Sequence, residues 1–220
     1  MLLLAVDTSG KFGSIALAQC EKEAPTHVLE VVPLQGGTFS AELVPQIAKL
    51  LQKFGFSQHN LDGFIVVSGP GSFTGIRIGL TAIKALAEVL QKPIATVSVL
   101  EVMAGLADAS GPVTAVLDAG RGEIYAGEYV KNSGTAIPTL IREHLCSREE
   151  FIRSTSGPVI TFDKALAGLA LEASREVQEI AYPNAGLIVP PGWEKLQRQV
   201  QTSPEELEAN YIRRANTKVL

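Results

Sequence analysis

The first hundred residues set short apolar runs against polar turns, and two longer stretches follow a helical period. Leu2 to Val6, Ser14 to Ala18, Val28 to Val32, Phe64 to Val67 and Ile94 to Val97 read as strands, each bounded by turn-forming or charged residues. Between the third and fourth, Leu43, Ile47, Leu50, Leu51 and Phe54 recur at the spacing of an amphipathic helix. Thr38 or Ser40 is placed to cap it. Pro45 must lie near its first turns, where little hydrogen bonding is lost. A second helix follows the fourth strand. Ile76, Leu80, Ile83, Ala87 and Leu90 fall on one of its faces; Arg77, Thr81, Lys84, Glu88 and Gln91 fall on another. Pro93 ends it. The predicted order is β-β-β-α-β-α-β.

The turn into that second helix is rich in glycine: Gly69, Pro70, Gly71 and Gly75. A third line along the helix, Gly75, Gly79, Ala82 and Leu86, begins with small residues. Each early glycine costs the helix roughly 1 kcal/mol relative to alanine. Two returns are open. Another backbone, from a neighbouring helix or strand, approaches closely, or the helix N-terminus presents its N–H groups to an anion. No Gly-Lys-Ser/Thr follows the glycines, so the loop is not of the Walker type.

The second half is less regular but opens as the first does. An apolar run, Val113 to Leu117, ends in Asp118. Ala119, Gly120, Arg121 and Gly122 turn, and Glu123 to Val130 returns. Asp7, with Thr8, Ser9 and Gly10 after the first strand, holds the equivalent place half a chain earlier, which suggests a duplicated domain. A helix capped by Ser98 is expected to run through Ala107. Beyond the second hairpin, Ile137 to Ile141, Pro158 to Phe162 and Val177 to Ala181 read as strands, and Arg148 to Ser154 and Lys164 to Arg175 as helices. Pro190, Pro191 and Gly192 imply that any helix near Ile188 starts late. Ser203-Pro204-Glu205-Glu206 has the cap, proline and acids of a helix start.

Composition narrows the class. With 46% hydrophobic and 19% charged residues in 220, the chain builds a sizeable core and is not disordered. A net charge of −4 argues against a protein that holds nucleic acid alone by neutralising phosphates. Cys20 and Cys146 have no metal-like spacing, and a reduced, cytoplasmic setting is expected. The opening MLLLAVD reads as neither signal peptide nor membrane span, and no apolar run is long enough to cross a bilayer.

Several stretches carry a family resemblance. GPGSFTGIRIGL, from Gly69 to Leu80, resembles the signature of the TsaB (YeaZ) family; its motif residues here are Gly69, Pro70, Gly71, Ser72, Phe73, Thr74, Gly75 and Arg77. Asp7 to Ser9 matches the family's opening strand end, and Ser40 to Ile47 (SAELVPQI) resembles its first helix. Asp118 to Tyr129 resembles its second hairpin, and Tyr211-Ile212-Arg213 its C-terminal ending. Phe39 stands where many members have histidine, Ser68 where many have arginine, and Thr161-Phe162-Asp163 where a GDG turn is common. The resemblance implies an α/β fold of two tandem actin-like ATPase (ASKHA-type) half-domains, mixed sheets with helices packed on them. Residues 1–100 would form the first half-domain, with the motif and the partner helices, and 101–220 the second.

The resemblance also implies a role. Such proteins are non-catalytic partners of a TsaD-like catalytic subunit. With a TsaE-like ATPase, the complex moves threonylcarbamoyl from an adenylate, made by a TsaC-like enzyme, onto the tRNA adenosine next to the anticodon. tRNA would be met only through the complex, and a homodimer is expected when the protein is alone. The expected interface takes in Ser40, Leu43, Ile47, Leu50, Gly75, Ile76, Gly79, Leu80 and Ile83, with Gly79 facing a helix of the partner or second copy.

The residues themselves offer little catalytic chemistry. His27, His59 and His144 lie far apart, no His-x-x-x-His pair exists, and no metal or cofactor is expected. Ser72 lies in G-S-F-T-G, not in a nucleophile elbow. Asp7, Thr8, Ser9, Asp118 and Arg121 either line a vestigial nucleotide cleft or cap their own turns. The rival function is a small metabolite kinase using Asp7 and Asp118, but the paired glycines of an adenine-binding segment are missing late in the chain.

Overall fold

The computed structural model describes residues 1–154, 157–210 and 212. Contacts divide the chain into two compact units, Met1–Val102 with Pro183–Ala209, and Met103–Tyr182 with Asn210–Leu220. The expected second half-domain does not keep its whole length, because Pro183–Ala209 packs back into the first unit.

The first unit is built on a five-stranded sheet of order β3-β2-β1-β4-β5. Its strands are β1 (Leu2–Asp7), β2 (Gly13–Gln19), β3 (His27–Leu34), β4 (Gly63–Gly69) and β5 (Ile94–Ser98). β1, β2 and β3 form an antiparallel meander, while β4 and β5 run parallel to β1. β1 is buried throughout because both faces of the sheet are covered. Leu2, Leu4 and Val6 point to α1 (Phe39–Lys53) and α2 (Phe73–Leu90), in one core with Leu43, Ile47, Leu50, Ile76, Leu80 and Ile83. Leu3 and Ile65 point the other way, toward α6 (Val189–Gln197): Leu3 meets Leu196 around Gly63, and Ile65 meets Gly192.

The returning segment is fixed at several points. Lys195 Nζ donates to Glu101 Oε2 at 2.7 Å and to Thr96 O at 2.9 Å. Thr202 N donates to Ile94 O at 2.9 Å, and Leu207 joins the core. Two expectations change here. Pro190 and Pro191 do not delay α6 but open it, since the first turn of a helix needs no N–H donors. Ser203 to Glu206 caps a single turn, Ser203 Oγ accepting from Glu206 N at 3.2 Å, and no helix follows among the described residues.

The second unit repeats the topology. Its strands are β6 (Gly111–Gly120), β7 (Glu123–Lys131), β8 (Thr139–Ser147), β9 (Val159–Thr161) and β10 (Val177–Glu179), in the order β10-β9-β6-β7-β8. Read from β8, each strand has the place and direction of its counterpart in the first sheet: β6–β7–β8 antiparallel, β9 and β10 parallel to β6. α3 (Val99–Gly105) links the halves, α4 (Arg148–Ser154) follows β8, and α5 (Lys164–Glu172) follows β9. The core is smaller, gathered around Phe151, Val116, Ile124 and Leu166. Among the described residues, no helix is long and apolar enough to cross a membrane.

Candidate functional site

The glycine-rich turn closes on the first hairpin of its own unit. Ser72 caps α2, its Oγ accepting from Gly75 N at 3.2 Å, while its own N–H donates to Ser9 O at 2.6 Å. Thr8 Oγ1 donates to Gly75 O at 2.7 Å. A Cβ on Gly71 would strike Ser9 O, one on Gly75 would strike Thr8 O, and one on Gly79 would strike Thr8 Oγ1, with Val6 Cγ1 next at 3.6 Å. These glycines therefore let α2 lie directly on the end of β1 and its turn. Of the two returns open for the motif, close approach accounts for all three positions, and the neighbour is this unit's own hairpin.

This corrects the expected interface. Gly79 does not face a partner; it packs on Thr8. Gly75, Ile76, Leu80 and Ile83 of α2, and Leu43, Ile47 and Leu50 of α1, are all buried within the unit. α1 needs a wide apolar arc because it packs on β2, β3 and α2 together. Only Ser40 of the expected set is exposed. Phe39, at the family's histidine position, is a core residue whose ring lies against Gly13. Ser68 is buried, with its Oγ 3.5 Å from Val97 O. In the second unit, Phe162 stacks obliquely on Tyr182, ring centroids 4.6 Å apart.

Of the residues expected at a nucleotide cleft, Asp7 and Asp118 cap turns within their own units. Asp7 is 1% exposed, and its Oδ1 accepts from Ser9 N at 2.8 Å and Ser9 Oγ at 2.7 Å. Burial raises its pKa above the ordinary carboxylate value; the two Ser9 hydrogen bonds oppose that shift. Asp118 is exposed and its Oδ1 accepts from Gly120 N at 3.2 Å; Arg121 is exposed at the same turn. Burial pushes the Cys20 and Cys146 thiols up to about 11, away from nucleophilic use at neutral pH. Among the described residues, no three His, Cys, Asp or Glu side chains gather into a metal-binding group.

The outward faces of α1 and α2 are different in kind. Between them runs a groove of about 550 Å³, lined by Val44 and Ser40 on one side and Phe73, Arg77, Ile78, Thr81 and Ala85 on the other. Val44 and Phe73 are 59% and 53% exposed, unusual for large apolar side chains lining one groove. Arg77 lies over the Phe73 ring, its Cζ 3.9 Å from the centroid. The groove continues into a cavity of about 510 Å³ lined by Lys11, Phe12, Gln35, Gly36, Ser72 and Thr74, the two sharing Phe39, Ser40, Thr74 and Ile78. The sequence reading missed Val44 and Ala85. Their signal was an apolar or small residue off the core stripe.

The model of the TsaD family, described as tRNA N6-adenosine threonylcarbamoyltransferase, matches residues 31–209. The chain is 35% identical over 135 residues to the tRNA threonylcarbamoyladenosine biosynthesis protein TsaB of Bacillus subtilis, a match covering 61% of this chain and 57% of that protein. It is 30% identical over 162 residues to the protein of the same name from Haemophilus influenzae, covering 69% and 66%. The chain belongs to the TsaB (YeaZ) family. It spans 57% and 66% of the lengths of these two curated relatives. The solved structure of YeaZ from Pseudomonas aeruginosa superposes with a TM-score of 0.76 over 94% of this chain and 99% of that one, at 23% identity, and so shares the fold. The family's actin-like plan agrees with two mixed sheets of equivalent strand order.

Proposed function

We propose that this chain is a non-catalytic subunit in the formation of threonylcarbamoyladenosine on tRNA, acting in the cytoplasm. It binds a TsaD-like catalytic subunit through the outward faces of α1 and α2. With a TsaE-like ATPase, the pair transfers threonylcarbamoyl to the adenosine next to the anticodon, and tRNA is held by the assembly rather than by this chain. The reading is supported by membership of the TsaB family and by the names of the relatives. The observation that carries the docking face is the exposed groove with Val44 and Phe73 on its walls. A helix laid into such a groove covers apolar side chains that the unit's own core leaves in water.

The test is reconstitution. Modified adenosine is measured by mass spectrometry with the TsaD-like subunit, the ATPase, tRNA and a supply of the adenylate, with and without this chain. Modification is expected to depend on the chain, which alone modifies nothing and turns over no ATP. Equal modification in its absence, or substrate-dependent ATP turnover by the chain alone, contradicts the proposal.

A further inference from the structure

The two sheets repeat each other, but their equivalent edge strands, β3 and β8, are treated differently. β3 carries Pro33, which has no N–H to offer a further strand. Its Glu30 pairs with Lys53 at 2.6 Å, and Gly186 lies against Val31 and Val28. Val28, Leu29, Val31 and Val32 are all half-buried. β8 has no proline, and among the described residues no further strand joins it. Arg142, paired with Glu128 at 2.6 Å, and Glu143 guard its middle. At its start Leu140 and Ile141 are 55% and 59% exposed. An open edge that carries apolar side chains is a template for another strand.

The chain brings a segment of its own to this place. It leaves the first unit after Ala209, and Asn210 belongs to the second. Asn210 Nδ2 donates to Glu143 Oε2 at 3.0 Å, while Tyr129 Oη donates to the other oxygen of the same carboxylate. Ile212, the last described residue, is half-buried, and Arg213 to Leu220 follow it. We infer that the segment beginning at Tyr211 runs antiparallel along Thr139–Arg142 and covers Leu140 and Ile141. The direction follows from the anchor, since the way from Glu143 to Leu140 is against the run of β8. The length suffices: Thr139 to Glu143 spans about 14 Å of extended chain, which residues 211–214 supply. The charge suits a new edge as well. Arg213, Arg214 and Lys218 stand in this segment with no acid among them, and cations on an edge strand discourage further pairing.

The experiment is amide hydrogen exchange read by mass spectrometry at two protein concentrations. It compares the full chain, the full chain with Arg213→Pro and Arg214→Pro together, and a chain ended after Asn210. Alternate N–H groups of a strand face its neighbour, so two consecutive prolines remove a donor to β8 whichever the register. The outward amides of Thr139–Arg142 are expected to be protected in the full chain. They should exchange about tenfold or more faster in both variants, while β6 and β7 keep their parental rates. If ending the chain unfolds the unit, seen as lost protection across β6 and β7, the proline variant decides. Equal exchange of Thr139–Arg142 in the full chain and the proline variant overturns the inference. Protection that rises with protein concentration and survives both changes makes a second copy the occupant of the edge, and overturns it too.

Discussion

The two halves share a strand order but join their fourth strand to the following helix by different chemistry. In the first, the β4–α2 turn is pressed against the β1–β2 hairpin through Gly71, Gly75 and Gly79, with Thr8 and Ser9 supplying the hydrogen bonds. In the second, Thr161 Oγ1 donates to Val116 O of β6 at 3.0 Å, and Asp163 caps α5 by accepting from Ala165 N at 2.8 Å and Leu166 N at 3.2 Å. The glycines are therefore not a requirement of the topology. They bring an 18-residue helix into contact with a hairpin, whereas α5, with nine residues, manages with a hydroxyl and a cap. Seating α2 so closely directs its buried stripe into the sheet and leaves Phe73, Arg77, Thr81 and Ala85 exposed along the same groove as Val44.

The largest effect expected from this contrast is at Gly79. Gly79→Leu drives a side chain into Thr8 and Val6 and should destabilise the first unit by about 3 kcal/mol or more. Thermal melting that changed little would place α2 away from the hairpin. The second effect is a pH dependence centred on Asp7. Its pKa is raised in the fold by burial, so the folded state favours the protonated form. Its contribution to stability is then fullest below the unfolded value of 3.8 and is lost as pH rises through the folded value. Asp7→Asn keeps an acceptor for Ser9 and should flatten that part of the stability–pH curve. A curve identical to that of the parent would contradict it.

Two smaller effects belong to the second unit. Asp163→Ala removes a helix cap and should cost about 1 kcal/mol, read from the denaturant midpoint. No loss would mean the cap is idle. Gly168, inside α5, has open space where a Cβ would stand, with nothing within 4 Å, unlike Gly79. Gly168→Ala should stabilise by roughly 0.5–1 kcal/mol through helix propensity alone. Destabilisation there would show that the two helices share the same packing after all.

Much of the first unit was legible because its strands are continuous apolar runs and its helices have clean periods. The duplication was legible too, from the paired Asp7 and Asp118 turns, and the matching strand orders bear it out. What the pattern could not supply was the neighbour. Small residues on α2 signal close approach, but a hairpin turn and a partner helix leave the same mark on a sequence. The wide apolar arc of α1 likewise reads as surplus until β2, β3 and α2 are seen to share it. β8 reaches Ser147 rather than ending near Ile141. It is the edge strand of its sheet, so Arg142, Glu143 and His144 interrupt the apolar pattern by which strands are recognised. The Tyr211-Ile212-Arg213 ending lies, apart from Ile212, outside the described residues.

One side of α1 and α2 is core, and the opposite side is the docking face we propose. The most direct measurement is the dissociation constant of Ala85→Arg with the TsaD-like subunit, taken with its melting temperature. The expected result is an unchanged melting temperature, within about 0.5 kcal/mol of parental stability, and binding weakened by about a hundredfold or more. Parental affinity in a variant that folds normally would contradict the account and move the docking face away from this groove.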